Sequence, residues 1–310
     1  MRKAFISTLC ELAEKNQDIV LLCGDLGYSV LEEFSNKFPD RYFNVGIAEQ
    51  NMAGVAAGLA LSGKIVFTYS IANFAITRCL EQIRNDICYH NAHVIIVAVG
   101  TGVAYGAQGY THHGIEDLSF TRVLPNVTVA SPGDPLEVKM VMRNLVAKSS
   151  PAVLRLGRGS EPTIHSIEPA GDFGKLIKVC DGAGEVVFIA SGTILPEVVA
   201  ACNLLKEKGV EASLFSMPVI TPINTSEIQS LAMTTTLLIS VEEHLVDGGV
   251  GSALAEIIAE LPSPHARLVR MGVPRGVTKL IGDQNYLRKC YGIDSLSIAN
   301  KALIEIKKLN

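Results

Sequence analysis

The sequence predicts an α/β protein of two consecutive domains, each a mostly parallel sheet flanked by helices. Three observations carry this. Short apolar runs alternate with helical patterns from one end to the other, as in sheets covered on both faces. The strand-like runs, such as IVLLC and VIIVAV, read as buried strands. Midway, GSEPTIHSIEPAGDFGK is rich in Gly, Pro and Ser and has no hydrophobic period, which marks an interdomain linker.

The elements follow in order. MRKAFISTLCELAEK reads as an amphipathic helix over 5–15; acidic residues arrive too early for a signal peptide. Strands are expected at 19–23, 65–68, 94–99 and 127–130, with helices at 50–61, 74–89 and 135–146 between and after them. Residues 41–45 form a further short strand that Gly46 breaks. After the linker the alternation resumes: strand 185–190, helix 195–208, strands 212–217 and 237–241, helix 250–261 and strand 267–271. The domains are placed at 1–160 and 179–310, with 161–178 between them.

Composition narrows the function. The chain has 310 residues, 48% of them hydrophobic and 19% charged, which suffices for two cores at one domain per ~150 residues. A net charge of −4 without a basic cluster argues against nucleic-acid binding. No apolar run reaches the ~18 residues of a spanning helix. Seven scattered cysteines without a CxxC pair suggest buried, reduced thiols, and the protein is expected to be cytoplasmic. No zinc spacing occurs: His112 and His113 are adjacent rather than i, i+4, and no metal ligand is assigned.

Ligands in such sheets bind at the carboxyl ends of the strands, and five segments lie there. In YFNVGIAEQNM, Glu49 sits where strand gives way to helix, so the first-turn N–H groups favour its charge. By position alone it is an ordinary first-turn acid. Asp25, in CGDLG, reads as an Asx turn. FTYSIANFAITRCLEQIRNDI supplies Tyr69 and Phe74, which by periodicity are core aromatics. GTGVAYGAQGYTHHGIEDLSF is a Gly-rich loop after a strand, a common place for binding residues, and holds Gln108 and His112. PAVLRLGRG carries Arg155 and Arg158, suited either to an anion or to an interdomain ion pair.

NVGIAEQNM followed by GVAAGLA resembles the pyrimidine-binding domain of the transketolase family of thiamin-diphosphate enzymes, and SVEEHLVDGGVGSALAEIIAE resembles that family's C-terminal domain. The resemblance implies that Glu49 hydrogen-bonds the cofactor's aminopyrimidine, that Asp25 lies near the thiazolium, and that Phe74 stacks on the pyrimidine. Tyr69 is expected to compensate for an aromatic missing from SIANFAITR. It makes His112 the residue on the substrate's hydroxyl and carbonyl oxygens and aligns Arg158, with Arg2, to a distal phosphate. Gln108 stands where transketolases usually carry an Asp, and the histidine near the start of their loop is absent around Gly100 and Thr101, so a specialised sugar is expected. No GDG motif for the diphosphate and Mg²⁺ is present, which implies a partner subunit carrying that domain and an α2β2 assembly. The chain is thus expected to be the C-terminal subunit of a split transketolase moving a two-carbon ketol unit. Alternatives are a 2-oxoacid dehydrogenase β subunit (GAQ at 106–108), a 1-deoxyxylulose-5-phosphate synthase-like enzyme (RLGRG), and a regulatory subunit without turnover.

Overall fold

β1 (Ile19–Cys23), β2 (Tyr42–Asn44), β3 (Ile65–Ile71), β4 (Val94–Val99), β5 (Thr128–Ala130) and β6 (Ala152–Leu156) lie in one sheet in the order β5-β6-β4-β3-β1-β2, all parallel. The structure is a computed structural model and describes residues 1–170, 172–182, 185–276 and 279–309. β1 and β4 are apolar along their whole length because both faces of the sheet are covered. The second half holds β7 (Ile177–Cys180), β8 (Val186–Ser191), β9 (Ala212–Ser216), β10 (Val219–Thr221), β11 (Leu237–Leu245) and β12 (Arg267–Val273). Its sheet runs β12-β11-β8-β9-β7, parallel except for the edge strand β7. Among the described residues no helix is long and apolar enough to cross a membrane.

Three features differ from the sequence expectation. First, β10 leaves its own half and pairs antiparallel with β5, making the first sheet seven-stranded. Val187, Ile189, Met217 and Ile220 accordingly share one apolar cluster with Val127, Val129 and Leu118. Second, the single helix expected over 74–89 is broken. Ala72–Ala75 is one turn, Leu80–Gln82 another, and Ile83–Cys88 is wound with π-type spacing. The Arg78 amide reaches back five residues to the Asn73 carbonyl, and the Cys79 thiol donates to the Phe74 carbonyl at 3.2 Å. Such loosened turns re-aim side chains, here Phe74 and Arg78, toward the sheet edge. Third, β11 runs on through Glu242, Glu243 and His244, all buried. Glu242 accepts from the amides of Val250 and Gly251, which open the helix Val250–Ala259, so its charge is matched by that helix's free N–H groups.

The stretch between the halves is docked. Asp134 caps the helix Pro135–Lys148 with one oxygen and accepts the amides of Ile164 and His165 with the other. Glu137 accepts from the Gly133 amide and meets His165 Nε2 at 2.8 Å. Asp134, Glu137 and His165 have metal-like spacing, but N–H donors already face the carboxylate oxygens, so the cluster is a latch. The Glu137 carboxylate holds the His165 pKa above its ordinary value. A raised folded-state pKa means the folded chain binds the extra proton. The stabilisation is complete below the unfolded histidine pKa of about 6.5 and is lost as pH rises through the folded value. Urea unfolding across this range should show His165→Asn losing stability at low pH and converging on wild type at high pH. Parallel curves would show that the pair does not titrate with folding.

Candidate active site

The strands β1, β2, β3, β4 and β6 end on one edge of the first sheet, and the candidate residues lie in the loops that leave it. Glu49 is the first residue of the helix Glu49–Leu61 and is only 2% exposed. Arg78 Nη1 donates to its Oε2 at 2.7 Å, and the same guanidinium lies 4.6 Å over the Phe74 ring. Burial, with the Glu49 charge nearby, pushes the Cys79 thiol up to about 12, so it stays a neutral donor to the backbone. A Cβ on Gly24 would sit 3.7 Å from both Glu49 Cγ and Ser70 Oγ. Ser70 Oγ is buried with no hydrogen-bond partner, which leaves an unused polar atom in the neighbourhood of the carboxylate.

From Phe74 a row of side chains runs along the edge. Phe74 and His112 meet edge to face at 5.2 Å, His112 and Tyr105 at 6.4 Å, and Arg158 lies 5.4 Å over Tyr105. The loop carrying His112 is tied down at several points. Asn73 Nδ2 donates to the Thr111 carbonyl, Gly102 and Gly114 bridge each other, and His112 Nδ1 lies 3.0 Å from Thr111 Oγ1. His112 is half-buried, whereas His113 is fully buried, 3.3 Å from the Gly106 carbonyl, with its pKa lowered by burial. The more exposed histidine of the pair is therefore the one available to a ligand.

The other candidates divide. Asp25 is exposed at the end of β1, in a left-handed conformation with φ of 55°. It accepts from Asn44 Nδ2, whose Oδ1 in turn accepts the amides of Asp25 and Gly46, so it borders the Glu49 loop. Gln108 is exposed on the loop beyond Tyr105. Arg2 approaches Gly159, next to Arg158, with Nη2 3.2 Å from where a Cβ would stand. Tyr69 does not join Phe74. Side chains alternate along β3, so Ser70 faces Glu49 while Tyr69 turns to the opposite face and packs against Phe5, 1% exposed. Arg155 is paired with Asp117 in the interior at 2.7 Å, an ion pair within the first domain rather than the interdomain one expected of one of the two arginines. Arg78 and Tyr105 join the site, and Glu243 holds its loop through the Val103 amide, without any signal in the sequence. An unbroken helix over 74–89 would leave Arg78 as a surface residue, and Glu243 lies far in sequence from the loop it holds.

Comparison with known proteins shows the family of the chain. Residues 1–162 match the family model described as Transketolase, pyrimidine binding domain, and residues 174–298 match Transketolase, C-terminal domain. The chain is 38% identical over 311 residues to a putative transketolase C-terminal section from Methanocaldococcus jannaschii, covering 99% of this chain and 96% of that one. It is 38% identical over 270 residues to one of the subunits of an apulose-4-phosphate transketolase from Actinobacillus succinogenes, covering 87% and 86%. A solved structure described as a split-gene transketolase, inactive β4 tetramer, superposes with a TM-score of 0.85 at 35% identity over 96% of this chain and 95% of that one. The chain belongs to the transketolase family, as the subunit of a split transketolase that holds the pyrimidine-binding and C-terminal domains.

Proposed function

We propose that this chain, with a partner subunit, transfers a two-carbon ketol unit from a ketose to an aldehyde acceptor using thiamin diphosphate bound between the two. The single observation that carries this is the row from buried Glu49 through Phe74 and His112 to Arg158. The residues fit the cofactor's aminopyrimidine: an aromatic face at Phe74, a carboxylate at Glu49 and an unpartnered hydroxyl at Ser70. When bound, thiamin diphosphate supplies the electron sink for breaking and forming the carbon–carbon bond.

The chain's own residues do the rest. Glu49 holds a proton at a pyrimidine ring nitrogen, and burial keeps water from competing for that oxygen. Phe74 fixes the ring plane by stacking. Asp25, at the rim, would lie near the thiazolium of the bound cofactor. His112 exchanges protons with, or donates to, the sugar's oxygens. Arg158 and Arg2 bind an anionic group at the far end of the substrate, and Gln108 reads a hydroxyl on the way. The domains responsible are 1–160 and 179–310, bridged by 161–178.

A partner suits the surface around Glu49. Tyr28, Phe43, Ile47, Val55 and Leu61 are exposed, Ile47 by 76%. Gly54 and Gly58 present open space on the outer face of the Glu49 helix. Apolar side chains rimming a polar site mark a contact surface. The partner would hold Mg²⁺ and the diphosphate, in an α2β2 assembly. The inactive β4 tetramer of the structural relative is in keeping with a chain that needs that partner. Apulose-4-phosphate, in the name of the Actinobacillus relative, favours a specialised phosphorylated sugar.

The test is a calorimetric titration of thiamin diphosphate with Mg²⁺ into this chain alone and mixed with the partner. Binding at least about a hundredfold tighter in the mixture is expected, since a half-site leaves the charged diphosphate without its cation. Equal affinity for the isolated chain would overturn the shared site.

A further inference from the structure

Tyr105 occupies an unusual position. One edge of its ring lies against the backbone at Gly100, so that a Cβ there would come within 1.9 Å of Tyr105 Cε2. Gly100 also has φ of 71°, which other residues rarely adopt. The loop is thus built so that this ring can fill the space over the end of β4. The ring meets His112 edge to face and carries the Arg158 guanidinium. Arg2 Nε and Tyr69 Oη are both buried and lack a hydrogen-bond partner. Neither Arg2 nor Arg158 is paired with a carboxylate among the described residues. Glu161, which lines the cavity beside Arg2 and Gly159, is already engaged by the Met1 ammonium and the Gly159 amide.

Two guanidiniums without a carboxylate partner, one of them resting on the Tyr105 ring, make one end of the site a cation-rich wall. From these contacts we infer that Tyr105 is the residue that sets specificity at the far end of the substrate: its ring holds Arg158 against the pocket, and together with Arg2 this wall selects sugars ending in a tetrahedral anion. The inference rests on the proposed ketol transfer. A guanidinium on a flexible stem keeps its rotamer freedom unless something restrains it, and stacking on a fixed ring supplies that restraint. His112, which meets the same ring, works at the reacting end of the sugar.

The experiment compares wild type, Tyr105→Ala and Tyr105→Phe in the assembled two-subunit enzyme. Ketol transfer is measured to D-glyceraldehyde 3-phosphate and to D-glyceraldehyde, and inorganic phosphate is titrated calorimetrically into each variant. Tyr105→Ala should raise KM for the phosphorylated aldehyde about two- to fivefold, the worth of one cation–π contact to an exposed guanidinium, with a smaller change for the unphosphorylated one. Phosphate affinity should fall by a similar factor, and Tyr105→Phe, which keeps the ring under Arg158, should recover both. Equal KM shifts for the two aldehydes, or no recovery in Tyr105→Phe, would overturn the inference. Absence of transfer by wild type would count against the proposed function instead. The phosphate titration still decides the role of Tyr105 in that case: unchanged affinity in Tyr105→Ala overturns it.

Discussion

Glu49→Gln should lower kcat of the assembled enzyme by about 10²–10⁴-fold, the usual worth of a positioned proton partner. The side chain keeps its size and its hydrogen-bonding carbonyl, so the change removes one negative charge and little packing. Arg78 loses its partner but is 45% exposed and can turn to water, so the loss in stability should stay within the ~1 kcal/mol typical of exposed pairs. Cofactor affinity should fall far less than turnover, because Phe74 and the partner's contacts remain. That split is the diagnostic. Turnover in Glu49→Gln within twofold of wild type would remove Glu49 from the chemistry. Turnover and cofactor binding lost together, with the fold intact, would make Glu49 a binding residue alone.

The features legible in the sequence are those set by local pattern. Apolar runs mark the strands of both sheets, and Gly46 followed by small residues places Glu49 at a helix start, where it is found. Charged residues inside an element have the opposite effect. The pattern ends β11 at Val241, because Glu242, Glu243 and His244 look like surface; the helix Val250–Ala259 and Arg288 make their burial possible. The break between Phe74 and Leu80 carries no Gly or Pro, so nothing local announces it. It is stabilised instead by the pull of Glu49 on Arg78 from another element. The face of Tyr69 follows from the parity of β3, and is readable once Ser70 is assigned to the Glu49 side. The exchange of β10 between sheets depends on packing between distant segments and has no signature in three residues.

The largest effect on stability is expected at Glu243, where the second half grips the loop of the first. Its carboxylate accepts the Val103 amide at 2.8 Å, Gln284 Nε2 at 2.8 Å, and Arg288 Nη2 at 2.6 Å. Arg288 also donates to the Thr193 carbonyl, and Gly102 has no room for a Cβ because Glu243 lies against it. Glu243→Ala leaves the buried Arg288 guanidinium with only its longer pair to Glu197, at 3.4 Å, and a buried amide without its acceptor. Breaking a buried pair from one side costs about 3–5 kcal/mol, a large share of the ~5–15 kcal/mol that holds a domain folded. Glu243→Gln keeps an acceptor oxygen and should lose less. Urea unfolding of the two variants and wild type measures this directly, and exchange of the Val103 amide reports whether the loop itself has loosened. A loss below about 1 kcal/mol in Glu243→Ala would mean that water replaces the carboxylate and that the contact is in effect exposed. A full loss accompanied by fast Val103 exchange would show that the second half sets the position of the loop carrying Gln108 and His112. The C-terminal domain would then contribute to the site without placing a residue in it.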